Sequence, residues 1–172
     1  MPNWCERYLK IRGKKKDLIN FIENEIVLIK QESIVSEPQL VDIKMQDDGI
    51  DCSFKYNKSF KEFLYLKGTR RFFIESEEIA FDYEFDYEDD DEDDEDEVCY
   101  LTLDIKQAWN IDIQTLLVEH SKKYSVDFNI FASEKGMEFE QYITIVGGKL
   151  LKNEERAYTD FRFEAINPDL GG

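Results

Sequence analysis

Apolar and polar positions along the chain change period several times, and each change marks an element. Residues 4–12 alternate, with Trp4, Glu6, Tyr8, Lys10 and Arg12 against Cys5, Arg7, Leu9 and Ile11. That predicts a strand with one buried face, ended by Gly13. Residues 14–31 follow a helical period. Leu18, Ile22, Ile26 and Ile29 fall at spacings of four, four and three, and Ile19 and Phe21 widen the stripe. Pro38 belongs to a loop. Residues 40–45 and 50–56 read as two short strands, and Gln46-Asp47-Asp48-Gly49 supplies a turn because Asp-Gly tolerates positive φ. Residues 57–69 fit no single period, and the reading kept for them is a short helix around residues 59–66.

Residues 71–74 and 79–88 look extended. The second is the clearest strand of the chain: Phe81, Tyr83, Phe85 and Tyr87 point one way, Asp82, Glu84, Asp86 and Glu88 the other. The aromatic side is expected on the core and the acidic side in water or against something basic. Residues 89–97 hold nothing to bury and are expected to form a loop. Residues 98–105 return as a strand, with Cys99, Leu101, Leu103 and Ile105 on one side, completing a long hairpin with an acidic tip. Asn110 is the expected N-cap of a helix over residues 112–124. Strands follow at 126–131 and 139–146, with Gly147-Gly148 as a turn. A further strand is expected within residues 149–163.

Composition sharpens this outline. The chain has 172 residues, enough for one domain with a sizeable core. At 42% hydrophobic and 14% aromatic residues it is too apolar for disorder. The expected organisation is one α+β domain over residues 1–165, an acidic loop insert at 88–97 and a frayed tail at 166–172. Cys5, Cys52 and Cys99 are odd in number, far apart and without a C-x-x-C, so they predict reduced, buried thiols. No signal peptide or membrane span is visible, and the expected location is cytoplasmic.

Charge is the most unusual feature. The formal net charge is −17, from 22 basic and 39 acidic residues. Residues 75–97 hold 16 acids and no base, so −17 less −16 leaves −1 for the rest of the chain. Ten of those acids, residues 88–97, are consecutive. The expected contact surface is Asp82, Glu84, Asp86, Glu88, Asp89, Asp90, Asp91, Glu92, Asp93, Asp94, Glu95, Asp96 and Glu97. On a strand, same-face carboxylates recur about every 6.8 Å, a row that can imitate phosphates and engage a basic groove. The same segment also reads as a solvated loop that aids solubility. Weak calcium binding is a third reading, without EF-hand spacing.

Other chemistry is sparse. The single histidine, His120, is expected at a surface or boundary of its helix, which leaves little room for acid–base or metal chemistry. No cofactor, metal site or catalytic residue is expected. Trp4 and Trp109 read as core anchors, with a surface binding role kept for Trp109. Lys14-Lys15-Lys16 open a helix, where positive charge opposes the dipole. They read as a solvated end, or as a patch for nucleic acid or the chain's own acidic arm.

Two stretches carry a resemblance. Met1-Pro2-Asn3-Trp4-Cys5-Glu6-Arg7-Tyr8-Leu9, followed by Gly13, resembles the opening of the YubB ferredoxin-like domain family, with Arg7 where the family tends to have Asn. Ala108-Trp109-Asn110 before a helix ending in Lys123-Tyr124, then Asp127-Phe128, Glu134-Lys135-Gly136-Met137 and a strand running to Gly147-Gly148, are similar to its second half. The resemblance implies a ferredoxin-like α+β sandwich, with two helices on one face of an antiparallel sheet. It also implies a mobile-element or phage setting, and no catalytic residues.

Together these readings predict a non-enzymatic acidic protein that binds a basic surface of a host or defence protein. Where that partner handles nucleic acid, binding inhibits it by phosphate mimicry. The alternative is a nucleic-acid-binding module that uses the sheet, its aromatics and Lys10, Arg12, Arg70 and Arg71, with the acidic loop only solubilising.

Overall fold

The structure, a computed structural model, describes residues 3–30, 39–41, 44–47, 52–55, 62–76, 78–83 and 98–171. The elements run β1 (Trp4–Lys14), α1 (Lys15–Glu25), β2 (Ile26–Lys30), β3 (Gln39–Val41), β4 (Lys44–Asp47), β5 (Cys52–Lys55), β6 (Glu62–Leu66) and β7 (Phe72–Ile74). They continue with β8 (Glu78–Ala80), β9 (Asp82–Tyr83), β10 (Val98–Ala108), α2 (Gln114–Tyr124), β11 (Asp127–Glu134), β12 (Phe139–Val146), β13 (Lys149–Ala157) and α3 (Phe161–Glu164). The chain is a mixed α+β protein built on antiparallel sheet with few helices. No described helix is long and apolar enough to cross a membrane.

One ten-stranded sheet has the order β13-β12-β11-β1-β10-β7-β6-β2-β3, with β9 also on β10. A second sheet has the order β4-β5-β8. The centre of the large sheet is the long pair β1–β10, in register from Trp4↔Ala108 to Lys14↔Val98. Alternation sends Cys5, Leu9 and Ile11 of β1, and Cys99, Leu101, Leu103 and Ile105 of β10, into the core. The helices cover that face. Each buries positions i, i+3, i+4 and i+7: Leu18, Phe21, Ile22 and Glu25 of α1, and Leu117, His120, Ser121 and Tyr124 of α2. Phe21 is the hub, packed edge-on against His120, Tyr124 and Phe128. Its full burial contributes roughly 2–3 kcal/mol.

Several expectations are corrected. The helix predicted over residues 14–31 stops at Glu25, and Ile26 opens β2, paired to β6 from Ile26↔Leu66 to Lys30↔Glu62. Ile-Val-Leu-Ile is rich in β-branched residues, and cross-strand packing overrides the accidental helical spacing of Ile26 and Ile29. The same pairing makes residues 62–66 a strand where a short helix was expected. Gly13 does not end β1, which continues to Lys14. Residues 40–45 divide between β3 and β4, which belong to different sheets. The strand expected over 79–88 changes sheets at Phe81: β8 pairs with β5, β9 with β10. Asn110 does not cap α2; Ile113 holds that position without a side-chain bond. Apart from these corrections, Gly171 lies against the end of β11, where an added Cβ would come 2.5 Å from the Ser133 carbonyl oxygen.

Candidate functional site

The acidic segment is rooted at one end of the large sheet. Tyr83 pairs with Cys99 and Asp82 with Tyr100, so the chain leaves β9 and re-enters β10 side by side. Ile79, Phe81 and Cys99 are buried and hold this root to the core. Of the expected contact residues, the backbone of Asp82 lies in β9. Glu84, Asp86 and the run Glu88 to Glu97 lie outside the described residues, as does the tip of the expected hairpin. Cys52 lies in β5, while Cys5 and Cys99 are buried thiols outside any disulfide among the described residues.

Basic residues stand near the root. Lys14 is opposite Val98, the residue that follows the acidic run, and Arg12 is opposite Tyr100. Arg12 grips Asp127 through Nε at 3.1 Å and Nη2 at 2.5 Å. The hydrogen bond to Asp127 holds the guanidinium pKa above its ordinary value.

The helix-free face carries a different set. The register aligns Tyr8, Phe131 and Tyr142 in one row across β1, β11 and β12. Phe131 and Tyr142 have ring centroids 5.1 Å apart, and Lys152 lies 4.7 Å over Tyr142. A second group joins Trp4, Phe73 and Tyr65 edge-to-face, with Lys106 over Trp4 at 5.5 Å. Trp4 therefore sits half-buried on this face instead of anchoring the core between sheet and helices. Trp109 is 57% exposed, with φ of 77° at the exit of β10. Much of the positive charge here is already matched: Arg12 by Asp127, Lys106 by Glu75 and Lys152 by Glu154.

A buried polar junction between the helices was not foreseen. Glu25 is 6% exposed, and its Oε1 accepts hydrogen bonds from Lys123 at 2.9 Å and from the Tyr124 hydroxyl. Burial alone would raise its pKa, but the Tyr124 and Lys123 bonds and nearby His120 outweigh it, and the net direction is down. His120 is buried, a correction to its expected boundary position. Its Nε2 lies 3.8 Å from Glu25 and makes no hydrogen bond among the described residues. Burial holds the imidazole pKa below its ordinary value, against the pull of Glu25. The signal was present, since Glu25 and His120 fall on the apolar stripes of their helices.

Other acids of the domain are also tied. Glu140 accepts from Tyr142 at 2.9 Å and Tyr158 at 2.5 Å. Burial, then the Glu140 bond, pushes the Tyr158 hydroxyl up to about 12. Glu134 closes the β11–β12 turn by accepting from the backbone N–H groups of Gly136 and Met137. Desolvation drives the Cys5 thiol up to about 12, which makes it a poor nucleophile. Among the described residues, no three His, Cys, Asp or Glu side chains stand together as a metal set. No family model, curated protein or solved structure matches the chain.

Proposed function

We propose that the chain is a non-enzymatic interaction protein whose acidic segment, from Asp82 to Glu97, docks on a basic surface of a partner protein. The observation that carries this reading is the segregation of charge. Sixteen acids lie within residues 75–97, and the remainder of the chain has a net charge of −1. The domain's own acids support it by contrast, since Glu25, Asp127, Glu134 and Glu140 are each consumed by structural bonds. An acidic run rooted between β9 and β10 attracts basic partners over a Debye length of about 8 Å at physiological salt and speeds their encounter. Where the partner binds nucleic acid, the run competes with phosphate and inhibits it.

For the framework, we read β1-α1-β2 and β10-α2-β11 as a ferredoxin-like core, as in the YubB ferredoxin-like domain family. The sheet order β11-β1-β10 followed outward by β2 supports this, with β6 and β7 intercalated and β12, β13 and β3 added at the edges. A phage or mobile-element setting and a cytoplasmic location belong to the same reading.

The test is retrieval of partners from host lysate with the wild type and with a variant whose acids from 82 to 97 are changed to Asn and Gln. The expected outcome is a defined basic partner held by the wild type, released as salt rises, and absent with the variant. The same partner on both proteins would sink the reading.

One observation favours a second reading, nucleic-acid binding on the helix-free face. Tyr8, Phe131 and Tyr142 form a row on which bases can stack, with Lys10 beside it on β1. The matched charges of Arg12, Lys106 and Lys152 rank it second. Binding of a single-stranded oligonucleotide by a variant lacking residues 88–97, lost on Tyr8→Ala with Phe131→Ala, would raise it to first.

A further inference from the structure

β13 is the long outer edge of the ten-stranded sheet. Among the described residues it is paired on one side only, to β12. Its nine residues, Lys-Leu-Leu-Lys-Asn-Glu-Glu-Arg-Ala, are exposed almost throughout. A strand of that length with one unpaired side presents a template for another strand. The opposite edge, β3, has three residues. Natural edges are commonly blunted by charged side chains, above all lysine, by bulges or by proline, and the charges and the bulge of β13 leave it open only to a partner that matches them. β13 has no proline, and its central residue is Asn153.

The charges around the centre of β13 are ordered, Lys149 and Lys152 before Asn153, Glu154 and Glu155 after it, with Arg156 beyond them. We infer that β13 is a self-association edge, pairing antiparallel with β13 of a second copy about a two-fold axis at Asn153. In that register Lys152 of each copy faces Glu154 of the other, giving two charge pairs around the axis. Lys152 and Glu154 share the helix-free face, because they stand opposite Thr144 and Tyr142.

Symmetry excludes the neighbouring registers. A two-fold antiparallel pair keeps partners on one face only when the register shifts by whole side-chain periods. One period toward Leu151 sets Lys152 against Lys152. One period toward Glu155 sets Glu154 against Glu154 and Lys152 against Arg156. Like charges directly opposite are destabilising. The irregularity between Thr144 and Ile145 leaves Leu151 without a partner on β12, and Leu151 is 64% exposed. The regular part of the edge is therefore short and the dimer weak.

Net charge does not forbid the pairing. The acidic segment is rooted on β10, four strands from β13. At about 4.8 Å per strand the two roots in a dimer stand about 40 Å apart, several Debye lengths at physiological salt. Edge pairing keeps α2 of both copies on the same side of a continuous sheet and leaves the helix-free face open.

The test is sedimentation equilibrium of the full chain over a range of concentrations at about 0.15 M salt. The wild type is expected to pass reversibly from monomer to dimer. Glu154→Lys, which sets lysine against lysine, is expected to weaken association at least tenfold. Lys152→Glu combined with Glu154→Lys is expected to restore it, and circular dichroism checks that each variant is folded. A wild type that stays monomeric throughout overturns the inference. So does a dimer that Glu154→Lys leaves intact, or a double variant that fails to regain association while folded. If Glu154→Lys alone misfolds, the folded double variant decides.

Discussion

The bonded acids of the domain and the run of ten acids at residues 88–97 are the same chemical groups in different sequence settings. Glu25, Glu134, Glu140 and Asp127 are each held by hydroxyls, backbone N–H groups or a guanidinium. Within residues 75–97 there is no basic residue at all. A buried carboxylate is retained because its partners offset its desolvation, and removing it leaves those partners without an acceptor. A run of ten acids adjacent in sequence has no such local balance. On the proposed reading the difference separates residues that hold the fold from residues that serve a partner, and it can be tested from both sides.

The largest expected effect falls on the domain side. Glu25→Ala strips the acceptor from the buried Tyr124 hydroxyl and from Lys123 and leaves a void between α1 and α2. Lys123 is mostly solvent-exposed and rehydrates, so the cost is set by Tyr124 and the void. About 2–3 kcal/mol is expected, read as the shift in urea midpoint at unchanged slope. For a chain of this length that corresponds to a fall in Tm of roughly 4–12 °C. A shift below about 0.5 kcal/mol would place Glu25 with the solvated acids and erase the distinction.

A smaller effect comes from pH at the same junction. The groups facing His120 are Glu25 and Phe21 from α1, with Glu119, Lys123 and Tyr124 on its own helix. Its native pKa lies below the ordinary value near 6.5, so on acidification the unfolded chain takes up this proton first. Stability is therefore fully present above about pH 6.5 and falls as pH drops toward the native pKa. One proton gives a slope of at most about 1.4 kcal/mol per pH unit. Glu25, whose native pKa is lowered, adds a second loss below about pH 4.3. A proton-driven ion pair between His120 and Glu25 would give the opposite sign in the first window. Urea titrations at pH 7.5 and 5.5 separate the two, and because the chain has one histidine, His120→Asn should flatten that step alone.

Much of the frame was legible because alternation is a strong signal on a half-buried strand. β1, β10, β11 and β12 show it over long spans, and the turn at Gly147-Gly148 carries the positive φ of 56° and 70° that glycine permits. Residues 26–30 misled because a short apolar run satisfies both periods, and only pairing with β6 decides it. The break at Phe81 was hidden because alternation continues across a change of sheet. The helix junction was missed for another reason. Glu25 drew no reading and His120 was expected at a surface or boundary, although they occupy i+7 and i+3 of stripes that both helices bury. The aromatic row of Tyr8, Phe131 and Tyr142 needed registers between strands distant in sequence, which no local pattern carries.

The smallest expected effect falls on the other side of the comparison. Changing residues 88–97 to Asn and Gln removes ten charges yet should move stability by less than about 1 kcal/mol. In water two unit charges about 5 Å apart interact by roughly 0.8 kcal/mol, so their summed repulsion is considerable. That repulsion is local in sequence and is present in the unfolded chain as well, so it cancels in the difference. What does not cancel is the field between the run and the domain. The domain's net charge is near −1, and basic residues stand close to the root at Arg12, opposite Tyr100, and Lys14, opposite Val98. Attraction to those residues favours the native state slightly, so the neutral variant should be marginally less stable at low salt and indistinguishable at high salt. Denaturant midpoints at about 0.02 M and 0.5 M salt measure it. A loss that persists at high salt would mean that these acids are held by structural bonds like Glu25, and the division drawn here would fall.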